Sequence, residues 1–506
     1  MPRFEEYDLI VIGTGAGGGT LARALADVPA RTLLIERGDV VPREPENWDP
    51  AAVWKQLRYR TSDRWIDSDG MLFRPYTHYC VGGNTKFWGS VLYRLRREDF
   101  QELAHADGVS PAWPITYETL EPYYEQAERL YHVHGEAGHD PTEGARPPFP
   151  YPAIPHADGM ARLVEQLEQR GLHPSPLPLG LIDPGENGGC RLCNTCNSFP
   201  CRIGKKSDAE MCGVRPALDQ PDHVELWTNA FARRLLTDSS GRRVTGVEVE
   251  CAGTVHTVKG RLVVVSCGAV NSAALMLRSA NERHPDGLAN SSGLVGRRYM
   301  AHLATMMQGF HPWRINTDVF QKTVAINDFY FKRPDTSYPL GQIQSQGRTH
   351  GVMAQVVAPW IPLWAYEAWV ARGVDWLVMS EDLPDPENRV TVEADGRIRL
   401  RYRPNNVRAH KELVRRFRRI LRELGFWKIM AYSHKARNTT HQCGTLVFGR
   451  DHHISVLDPF CRTHDIENLF VVDASFFPSS AAVNPGLTIA AQALRVAEHI
   501  RETAFG

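Results

Sequence analysis

The chain has 506 residues and 42% of them are hydrophobic, so its length predicts roughly two to four folding units with a substantial core. Its 58 Lys and Arg balance its 58 Asp and Glu, which argues against a basic field for nucleic acid or for an anionic membrane surface. The sequence contains neither a signal peptide nor an uninterrupted apolar run of about 18 residues, so we expect a cytoplasmic protein with no membrane partner.

The first elements are predicted to be a strand, a glycine-rich turn, a helix and a second strand. The runs "YDLIVIG" and "RTLLIE" resemble parallel strands that are buried on both faces. Between them, Gly13, Gly15 and Gly18 form G-x-G-x-x-G, which allows a tight turn, close approach of a pyrophosphate and close packing of the helix. Glu36 ends the second strand, where an acidic residue binds ribose hydroxyls. We therefore predict a dinucleotide site; a glycine-rich turn without a ligand is the alternative.

A proline-rich connector, "PTEGARPPFPYPAIP", leads into a middle part with a different pattern. Residues 160–171 have helical spacing, and residues 224–236 and 244–250 are predicted to be strands of a small sheet. Residues 305–430 contain alternating, tryptophan-rich strand patterns, and the chain then returns to strand, turn and helix. The pattern predicts an α/β core that is interrupted by an inserted antiparallel domain.

The glycine motif alone does not distinguish FAD from NAD, but two later strands favour FAD. The runs "LVVVSCGA" and "NLFVVDAS" are buried strands that end in small residues or Asp. FAD needs such additional loops because its ribityl chain and ring extend beyond the first phosphate site. We expect Asp473 to hold ribityl hydroxyls, and residues 484–488 to direct helix N-terminal N–H groups at the flavin.

Two clusters of potential metal ligands leave alternatives open. Cys190, Cys193, Cys196 and Cys201 are spaced as C-x2-C-x2-C-x4-C, which is close to a ferredoxin pattern and also compatible with zinc. Near the C-terminus, "THQCGTLVFG" offers three interpretations of its histidine, His441: a catalytic base, a metal ligand with Cys443, or a buried core residue. A metal at His441 and Cys443 would need two more ligands, and the sequence suggests none nearby.

Taken together, eight segments of the chain resemble one family over almost the whole length: "VIGTGAGGGTLARAL", "VGGNTKFWGSVLYR", "WPITYETLEPYYEQAE", "VVVSCGAVNSAALMLRS", "LVGRRYMAHL", "PENRVTV", "HQCGT" and "LFVVDASFFPSSAAVNPGLTIAAQALRVAEHI". That family is the glucose–methanol–choline (GMC) family of FAD oxidoreductases. The third and last segments look most like its pyranose oxidases and glycoside 3-oxidases.

The resemblance implies an α/β fold. It consists of a Rossmann-like FAD-binding domain with an inserted α+β substrate-binding domain on an antiparallel sheet. We assign 1–150, 205–305 and 436–506 to the discontinuous FAD-binding domain. The substrate-binding domain and a cysteine-rich connector then occupy 151–204 and 306–435. The family often carries a cysteine-bearing segment at this connector, which favours a structural loop or local disulfides over a metal.

The resemblance also implies site residues by position. His441 matches the family histidine of H-x-x-G-T, and Asn484 matches its partner position. Phe87 stands where some pyranose oxidases attach FAD through histidine, so we expect non-covalent FAD. The cofactor-binding residues implied are Gly13, Gly15, Gly18, Glu36, Gly83, Asn84, Thr85, Trp88, Ala232, Cys267, Asp473, Asn484, Pro485 and Thr488.

Alcohol oxidation by FAD requires a neutral base for the hydroxyl proton and a donor for the developing alkoxide charge. His441 suits the first task and Asn484 the second, so both are predicted to be catalytic. The substrate residues predicted are Gln342, Gln344 and Trp360, because aromatic faces and amides suit sugar rings. We expect oxidation of a secondary hydroxyl of a sugar or glycoside, at carbon 3, with oxygen or another acceptor reoxidising the flavin. The alternatives are a non-sugar alcohol as substrate and a non-catalytic redox-sensing flavoprotein.

Overall fold

The computed structural model describes residues 3–357 and 359–506. Its α-helices in chain order are α1 (Ala16–Ala24), α2 (Tyr117–Leu130), α3 (Asp158–Glu168), α4 (Arg215–Leu218), α5 (Ala269–Arg278), α6 (Gly351–Val357), α7 (Leu363–Val370), α8 (Val407–Glu423) and α9 (Gly486–Ile500). Within the described ranges, none of these helices has both the length and the apolar character needed to cross a membrane.

The strands are distributed over two large sheets and several small ones. In chain order they are β1 (Glu6–Ile12), β2 (Thr32–Ile35), β3 (Trp65–Ile66), β4 (Leu72–Phe73), β5 (Leu103–Ala104), β6 (Val109–Ser110), β7 (Val133–His134), β8 (Pro174–Pro176), β9 (Leu179–Gly180), β10 (Val224–Trp227), β11 (Ala230–Thr237), β12 (Val244–Cys251), β13 (Thr254–Val265), β14 (Leu303–Phe310), β15 (Val324–Ile326), β16 (Gln342–Ser345), β17 (Gly373–Ser380), β18 (Arg389–Val392), β19 (Ile398–Arg401), β20 (Lys428–Ser433) and β21 (Leu469–Val471).

The first sheet has the order β10-β2-β1-β13-β12-β11, and β21 pairs with the C-terminal half of β13. Strands β10, β2, β1, β13 and β21 run parallel, and all four residues of β2 are buried, as expected for a sheet covered on both faces. The prediction of a separate small sheet for 224–236 and 244–250 is wrong. Strand β10 lies at the parallel edge, while β11 and β12 extend the same sheet as an antiparallel ribbon.

The second sheet is antiparallel, with the order β20-β14-β17-β16-β15-β8. One face packs against α3 and α8, and its core includes Trp376 and Phe417. Because side chains alternate along a strand, Leu377 and Met379 lie on the opposite face with Ala304 and Met306. Across that face, Met306 pairs with Leu377, Leu377 with Gln344, and Gln344 with Ala325. Since Ala325 belongs to the core cluster of the first sheet, this face points toward the first sheet. The predicted domain bounds stay a prediction.

A buried lysine joins two loops beside the first sheet. The ammonium group of Lys206 donates to the carbonyl oxygens of Trp88 at 3.0 Å and Lys86 at 3.3 Å. It also donates to the carbonyl oxygens of Cys196 at 2.7 Å and Phe199 at 2.6 Å. The loop that carries Trp88 and the cysteine-bearing loop are therefore held together by one cation.

Candidate active site

The glycine-rich turn after β1 is possible only with glycine at several positions. Gly13 has a φ of 97°, and a methyl group there would lie 2.3 Å from the carbonyl oxygen of Ser266. A methyl group on Gly18 would lie 2.0 Å from the carbonyl oxygen of Gly13. At Gly17 the space is smaller still, because a methyl group there would lie 1.7 Å from the carbonyl oxygen of Val472. Gly17 is not one of the three glycines of the predicted motif. The first turn of α1 therefore sits directly on the ends of the parallel strands.

Other glycines face open space, which is what a bound dinucleotide requires. A methyl group on Gly15 or on Gly268 would meet no atom within 4 Å. On Gly83, the nearest atom would be Cα of Gly15 at 3.4 Å. The turn after β1 and the loop of Gly83 thus form a cradle with backbone N–H groups and no side chains in it. These residues fit the pyrophosphate of FAD, and the N-terminus of α1 supplies a positive dipole end there.

Glu36 connects the two parts of this cradle, the turn after β1 and the loop of Gly83. Its Oε2 accepts hydrogen bonds from the hydroxyl group of Thr14 at 2.6 Å and from the Thr14 N–H at 3.2 Å. The same hydroxyl accepts from the N–H of Gly82 at 3.1 Å. Burial raises the pKa of Glu36. The Ala230 N–H donates to the Glu36 carbonyl oxygen at 2.9 Å, so the strand of Ala232 lies beside the predicted ribose position.

Asp473 ties together the ends of β13 and β21. Its Oδ2 accepts from the N–H of Gly268 at 2.9 Å and from the hydroxyl group of Ser272 at 2.5 Å. Its Oδ1 accepts from the N–H of Ser475 at 2.8 Å, and burial raises its pKa. Cys267 is half-buried beside it, and its thiol donates to the Ile12 carbonyl oxygen at 3.4 Å. The contact predicted between Asp473 and ribityl hydroxyls stays a prediction.

The loop 82–88 is held by its own side chains. The Thr85 hydroxyl group donates to the Gly82 carbonyl oxygen at 2.6 Å and accepts from the Ala209 N–H at 2.9 Å. Asn84 is exposed, and its side-chain oxygen accepts from the N–H of His78 at 2.9 Å. Thr85 therefore shapes this loop through its side chain, which leaves only its backbone for a cofactor.

Two buried polar atoms without a partner lie where the chain enters α9. They are Nε1 of Trp88 and Oδ1 of Asn484. A methyl group on Gly486 would lie 2.7 Å from the Trp88 ring, so this ring packs on the first residue of α9, just after Pro485. The hydroxyl group of Thr488 already bonds to that of Tyr124 at 2.9 Å. A polar ligand bound at the start of α9 would give each of these two atoms a partner.

His441 sits in a chain of hydrogen bonds that fixes which nitrogen carries its proton. Its Nδ1 lies 2.9 Å from Nδ1 of His302, and Nε2 of His302 lies 3.2 Å from the Ser480 carbonyl oxygen. A carbonyl oxygen only accepts, so Nε2 of His302 is protonated and its Nδ1 is the acceptor. Nδ1 of His441 must then be the donor. This leaves Nε2 of His441 with a free lone pair, as a base requires.

The surroundings keep both imidazoles neutral. Burial lowers the pKa of His441 well below 6.5, and the protonated forms of His302, His434 and Lys322 would lower it further. Burial also lowers the pKa of His302. The backbone of His441 is left-handed, with a φ of 53°, which costs about 1–3 kcal/mol for a residue other than glycine. Fourteen other non-glycine residues in the described part of the chain share such a backbone, so the assignment of His441 as a base depends on its free Nε2 and not on this strain.

The geometry does not support metal at either cluster. The Cys443 thiol donates to the Met300 carbonyl oxygen, at 3.7 Å, and therefore does not pair with His441. In the described part of the chain, the only group of three or more His, Cys, Asp or Glu gathered closely enough for a metal is Asp451, His452 and His453, all exposed. The resemblance favoured a structural loop or local disulfides for the cysteine-bearing segment, and the structure has the loop without disulfides. Its four cysteines are free thiols: Cys190, Cys193, Cys196 and Cys201.

The predicted substrate residues divide into two groups. Gln342 and Gln344 are fully buried on the face of the second sheet that points toward the first. Both amide atoms of Gln344 lack a partner, whereas the Gln342 amide donates to Asn327 at 2.9 Å and only its oxygen is unpartnered. Trp360 is 79% exposed in the connection between α6 and α7, so it lies at the surface and does not share the buried position of the two glutamines.

The sequence interpretation missed His302, Thr14 and Lys322. His302 lies inside the recognised segment "LVGRRYMAHL", but its pairing with His441 spans 139 positions, and no local pattern reveals it. Lys322 is 3% exposed, and its ammonium group donates to the Asn197 side-chain oxygen at 2.9 Å. Burial lowers the pKa of Lys322 to about 7. Lys322 stands between Gln321 and Thr323, and this local sequence carries no signal of a buried cation.

Residues 161–304 and 384–493 match two family profiles, each described as GMC oxidoreductase. The 6'''-hydroxyparomomycin C oxidase of Streptomyces lividus and the paromamine 6'-oxidase of Streptomyces fradiae are 31% and 30% identical to this chain. Both alignments cover 98% of this chain and 91% of the relative. The fructose dehydrogenase large subunit of Gluconobacter japonicus is 26% identical over 97% of each chain.

Among solved structures, pyridoxine 4-oxidase from Mesorbium loti matches with a TM-score of 0.69 and 19% identity, over 98% of this chain and 99% of its own. The predicted fold class is confirmed by this likeness and by the family profiles. The chain belongs to the GMC oxidoreductase family and is an FAD-dependent enzyme that oxidises CH–OH groups.

Proposed function

We propose that this enzyme oxidises a secondary hydroxyl group of a sugar or glycoside to a ketone, with carbon 3 as the expected position and oxygen or another acceptor reoxidising the flavin. The observation that carries the proposal is the hydrogen-bond chain from Ser480 through His302 to His441, which leaves one imidazole nitrogen free to accept a proton. FAD, when bound, accepts the hydride from the carbon that carries the hydroxyl group. The cytoplasmic location stays part of this proposal.

The roles of the protein groups follow from their protonation. His441 takes the hydroxyl proton at Nε2, while its Nδ1–H stays bonded to His302. The resulting imidazolium would be held by two hydrogen bonds along the same chain. The Asn484 side-chain amide can donate an N–H to the oxygen as charge develops on it, and amides do not compete as bases at neutral pH.

The sugar class is supported from two directions. By their names, the relatives act on paromamine, hydroxyparomomycin and fructose, all of them sugars or amino sugars. On this chain, the unpartnered amide of Gln344 lies in one row with the apolar side chains of Met306 and Leu377. An apolar surface with amide groups at its edge suits a ring with apolar faces and hydroxyl rims. The names of the two Streptomyces relatives specify positions 6' and 6''', so the carbon oxidised needs a direct test.

The test is turnover by purified yellow protein on free sugars, O-glycosides and C-glycosides, with choline, pyridoxine and simple diols as non-sugar alcohols. Both oxygen uptake and reduction of an artificial acceptor are followed. Products are then reduced with borodeuteride, so that the labelled carbon identifies the site of oxidation. Label at carbon 3 is expected. Label at a primary carbon would contradict the position, and turnover of non-sugar alcohols alone would contradict the substrate class.

Replacing Asn484 by alanine should keep FAD bound but slow flavin reduction by substrate by ~10²–10³-fold, because one donor to the developing charge is lost. Stopped-flow spectroscopy under anaerobic conditions measures this rate. Asn484→His is the matched control, since an imidazole ring keeps an N–H donor at this position. An unchanged rate in the alanine variant would remove Asn484 from the site.

Replacing His302 by alanine should slow flavin reduction by about 10- to 100-fold with FAD retained, because the base remains but is no longer held in one tautomer and orientation. The pH profile separates this role from a structural one: we expect the acid limb of the reduction rate to move in the variant. His302→Gln restores an acceptor for Nδ1–H of His441 and should recover part of the rate. If His302→Ala and His302→Gln lower the melting temperature equally and leave the pH profile of the reduction rate unchanged, His302 does not position the base.

Acid precipitation should release all flavin into the supernatant, because Phe87 occupies the family's linkage position. The Phe87 ring stacks on His78, with centroids 3.6 Å apart and planes 13° from parallel. Flavin absorbance of the pellet and of the supernatant shows whether the cofactor is covalently bound. Flavin that stays with the pellet would contradict non-covalent binding, and peptide mapping around His78, the histidine stacked on this position, would follow.

A further inference from the structure

The connection between β16 and β17 carries an exposed apolar surface. Helices α6 and α7 form a hairpin whose base is closed by the Gly351 N–H donating to Glu367 at 2.9 Å. We call residues 351–356 and 359–370 the tryptophan hairpin. Trp360 is 79% exposed, Trp364 75% and Trp369 42%. Exposed apolar groups of this size mark a contact with a partner or a membrane.

The surface continues onto neighbouring segments. The Phe310 ring at the end of β14 packs edge to face against Trp369, with centroids 5.0 Å apart, and its carbonyl oxygen accepts from the Trp427 N–H at 3.0 Å. Trp427 is 77% exposed. After β14, the chain carries Trp313, which is 88% exposed, and Asn316, whose N–H donates to the carbonyl oxygen of Ala371 at 2.8 Å. Tryptophans from three segments thus share one face of the molecule.

Helix α7 is exposed in several directions rather than along one side. It buries only Val370. At about 100° per residue, Leu363, Trp364 and Trp369 point roughly 0°, 100° and 240° around the helix axis. A protein partner that docks on a flat interface covers one side of such a helix. A lipid interface surrounds a short apolar hairpin, and tryptophan is the residue enriched at that boundary.

The charges beside the hairpin also favour a lipid surface over a protein partner. Arg314 adjoins Trp313, and Lys428 adjoins Trp427; both are exposed, and neither has a carboxylate within ion-pair distance in the ranges that the structure describes. The one acidic side chain on the hairpin, Glu367, accepts the hydrogen bond that closes the base. Unpaired cations beside exposed tryptophans complement anionic headgroups.

We propose that the tryptophan hairpin, together with Trp313 and Trp427, seats this enzyme on the surface of an anionic lipid bilayer without spanning it. The proposal is independent of the sugar specificity. It revises the expectation of no membrane partner, which rested on the net charge of the chain and on its hydropathy along the sequence. Net charge sums over the whole surface and conceals a local patch. Hydropathy along the chain is interrupted at Glu367, whose exposed side chain accepts from the Gly351 N–H in the folded hairpin.

The test is flotation of the FAD-loaded enzyme with protein-free vesicles of phosphatidylcholine, with and without phosphatidylglycerol. We expect flotation with anionic vesicles, and quenching of tryptophan fluorescence when the acyl chains carry bromine. Trp360→Ser with Trp364→Ser should lower the partition coefficient at least about tenfold. Arg314→Glu with Lys428→Glu should lower binding to anionic vesicles about fivefold or more per charge and leave binding to neutral vesicles unaffected.

Ile454→Ser is the matched control, because Ile454 is 61% exposed outside the patch and its loss should change nothing. Turnover in solution should stay unchanged in Arg314→Glu with Lys428→Glu and in Ile454→Ser. An enzyme that remains at the bottom of the gradient with both vesicle types overturns the proposal. Flotation that survives loss of both tryptophans overturns the assignment to the hairpin. The parent enzyme could instead self-associate without binding vesicles, and lose this self-association in the double tryptophan variant. That result would make a second copy of the chain, and not lipid, the partner of this surface.

Discussion

Replacing His441 by alanine is expected to give a folded, yellow protein whose flavin is reduced by substrate ~10²–10⁴ times more slowly, the range for a positioned acid–base group. FAD should be retained because the ring bonds to His302 and not to the glycine-rich cradle. Stopped-flow reduction, flavin content and thermal melts on the same samples measure the three properties. A flavin-loaded variant that is reduced at the parent rate would contradict the assignment of His441.

The control for a core histidine is His410, which is 6% exposed and bonded to Thr305 at 2.7 Å and Ser380 at 3.0 Å. His410→Ala should lower the melting temperature and leave the reduction rate of the remaining flavin-loaded protein unchanged. If His441→Ala instead behaved like His410→Ala, the core interpretation would hold. The pair therefore separates a chemical role from a packing role within one protein.

The pH dependence of the reduction rate carries independent information. The base works only while it is neutral, and burial with nearby positive charge lowers the pKa of His441 well below 6.5. The neutral form is then fully populated near pH 6.5, so the rate should stay level there and fall only at lower pH. The alanine variant should lack that decline. A decline centred near 6.5 in the parent would mean that the ring is solvated as in a free histidine.

Replacing Gly15 by alanine is expected to leave the apo fold intact and weaken FAD binding by about 10- to 100-fold, the effect of one extra methyl group in a filled contact. Gly15 has an extended backbone, with φ −72°, which alanine tolerates, and its methyl group would meet no protein atom within 4 Å. That open space is where the pyrophosphate approaches the turn. Flavin fluorescence titration of apo protein measures the dissociation constant, and melting of the apo forms measures the fold.

Gly17→Ala is the matched comparison two residues away. Its methyl group would lie 1.7 Å from the Val472 carbonyl oxygen, so we expect loss of the fold with or without FAD. Unchanged FAD affinity in Gly15→Ala would show that the cofactor does not lie against this turn. Equal damage to the apo fold in the two variants would show that the space beside Gly15 is not free.

Local sequence predicted the parts of the site that depend on local backbone. Gly13 needs a left-handed turn, and Glu36 follows a buried strand, so both could be located from the residues around them. The resemblance added His441 and Asn484, whose neighbours in sequence carry no chemistry of their own. Their assignment as catalytic residues stays a prediction, now with a hydrogen-bond chain that gives His441 a defined tautomer.

The sequence did not predict features that depend on distant segments. His302 and Ser480 orient His441 from far along the chain, and such pairings leave no periodic signal. The position of β10 is a similar case, because its residues fit either a small sheet or a parallel edge, and only its pairing with β2 decides. Trp360 was assigned to the substrate because tryptophan suits sugars, but its exposure follows from the hairpin around it.

The pairing of β13 has a consequence for how the protein is made. This strand pairs with β1 near the start of the chain and with β21 near its end, so the parallel sheet closes only after residue 471 has been synthesised. At ~5–20 residues per second, the stretch between Val265 and Val471 takes on the order of 10–40 seconds to synthesise, and β13 lacks β21 for that time. During that time the open edge of β13 is an unpaired, hydrophobic template for aggregation.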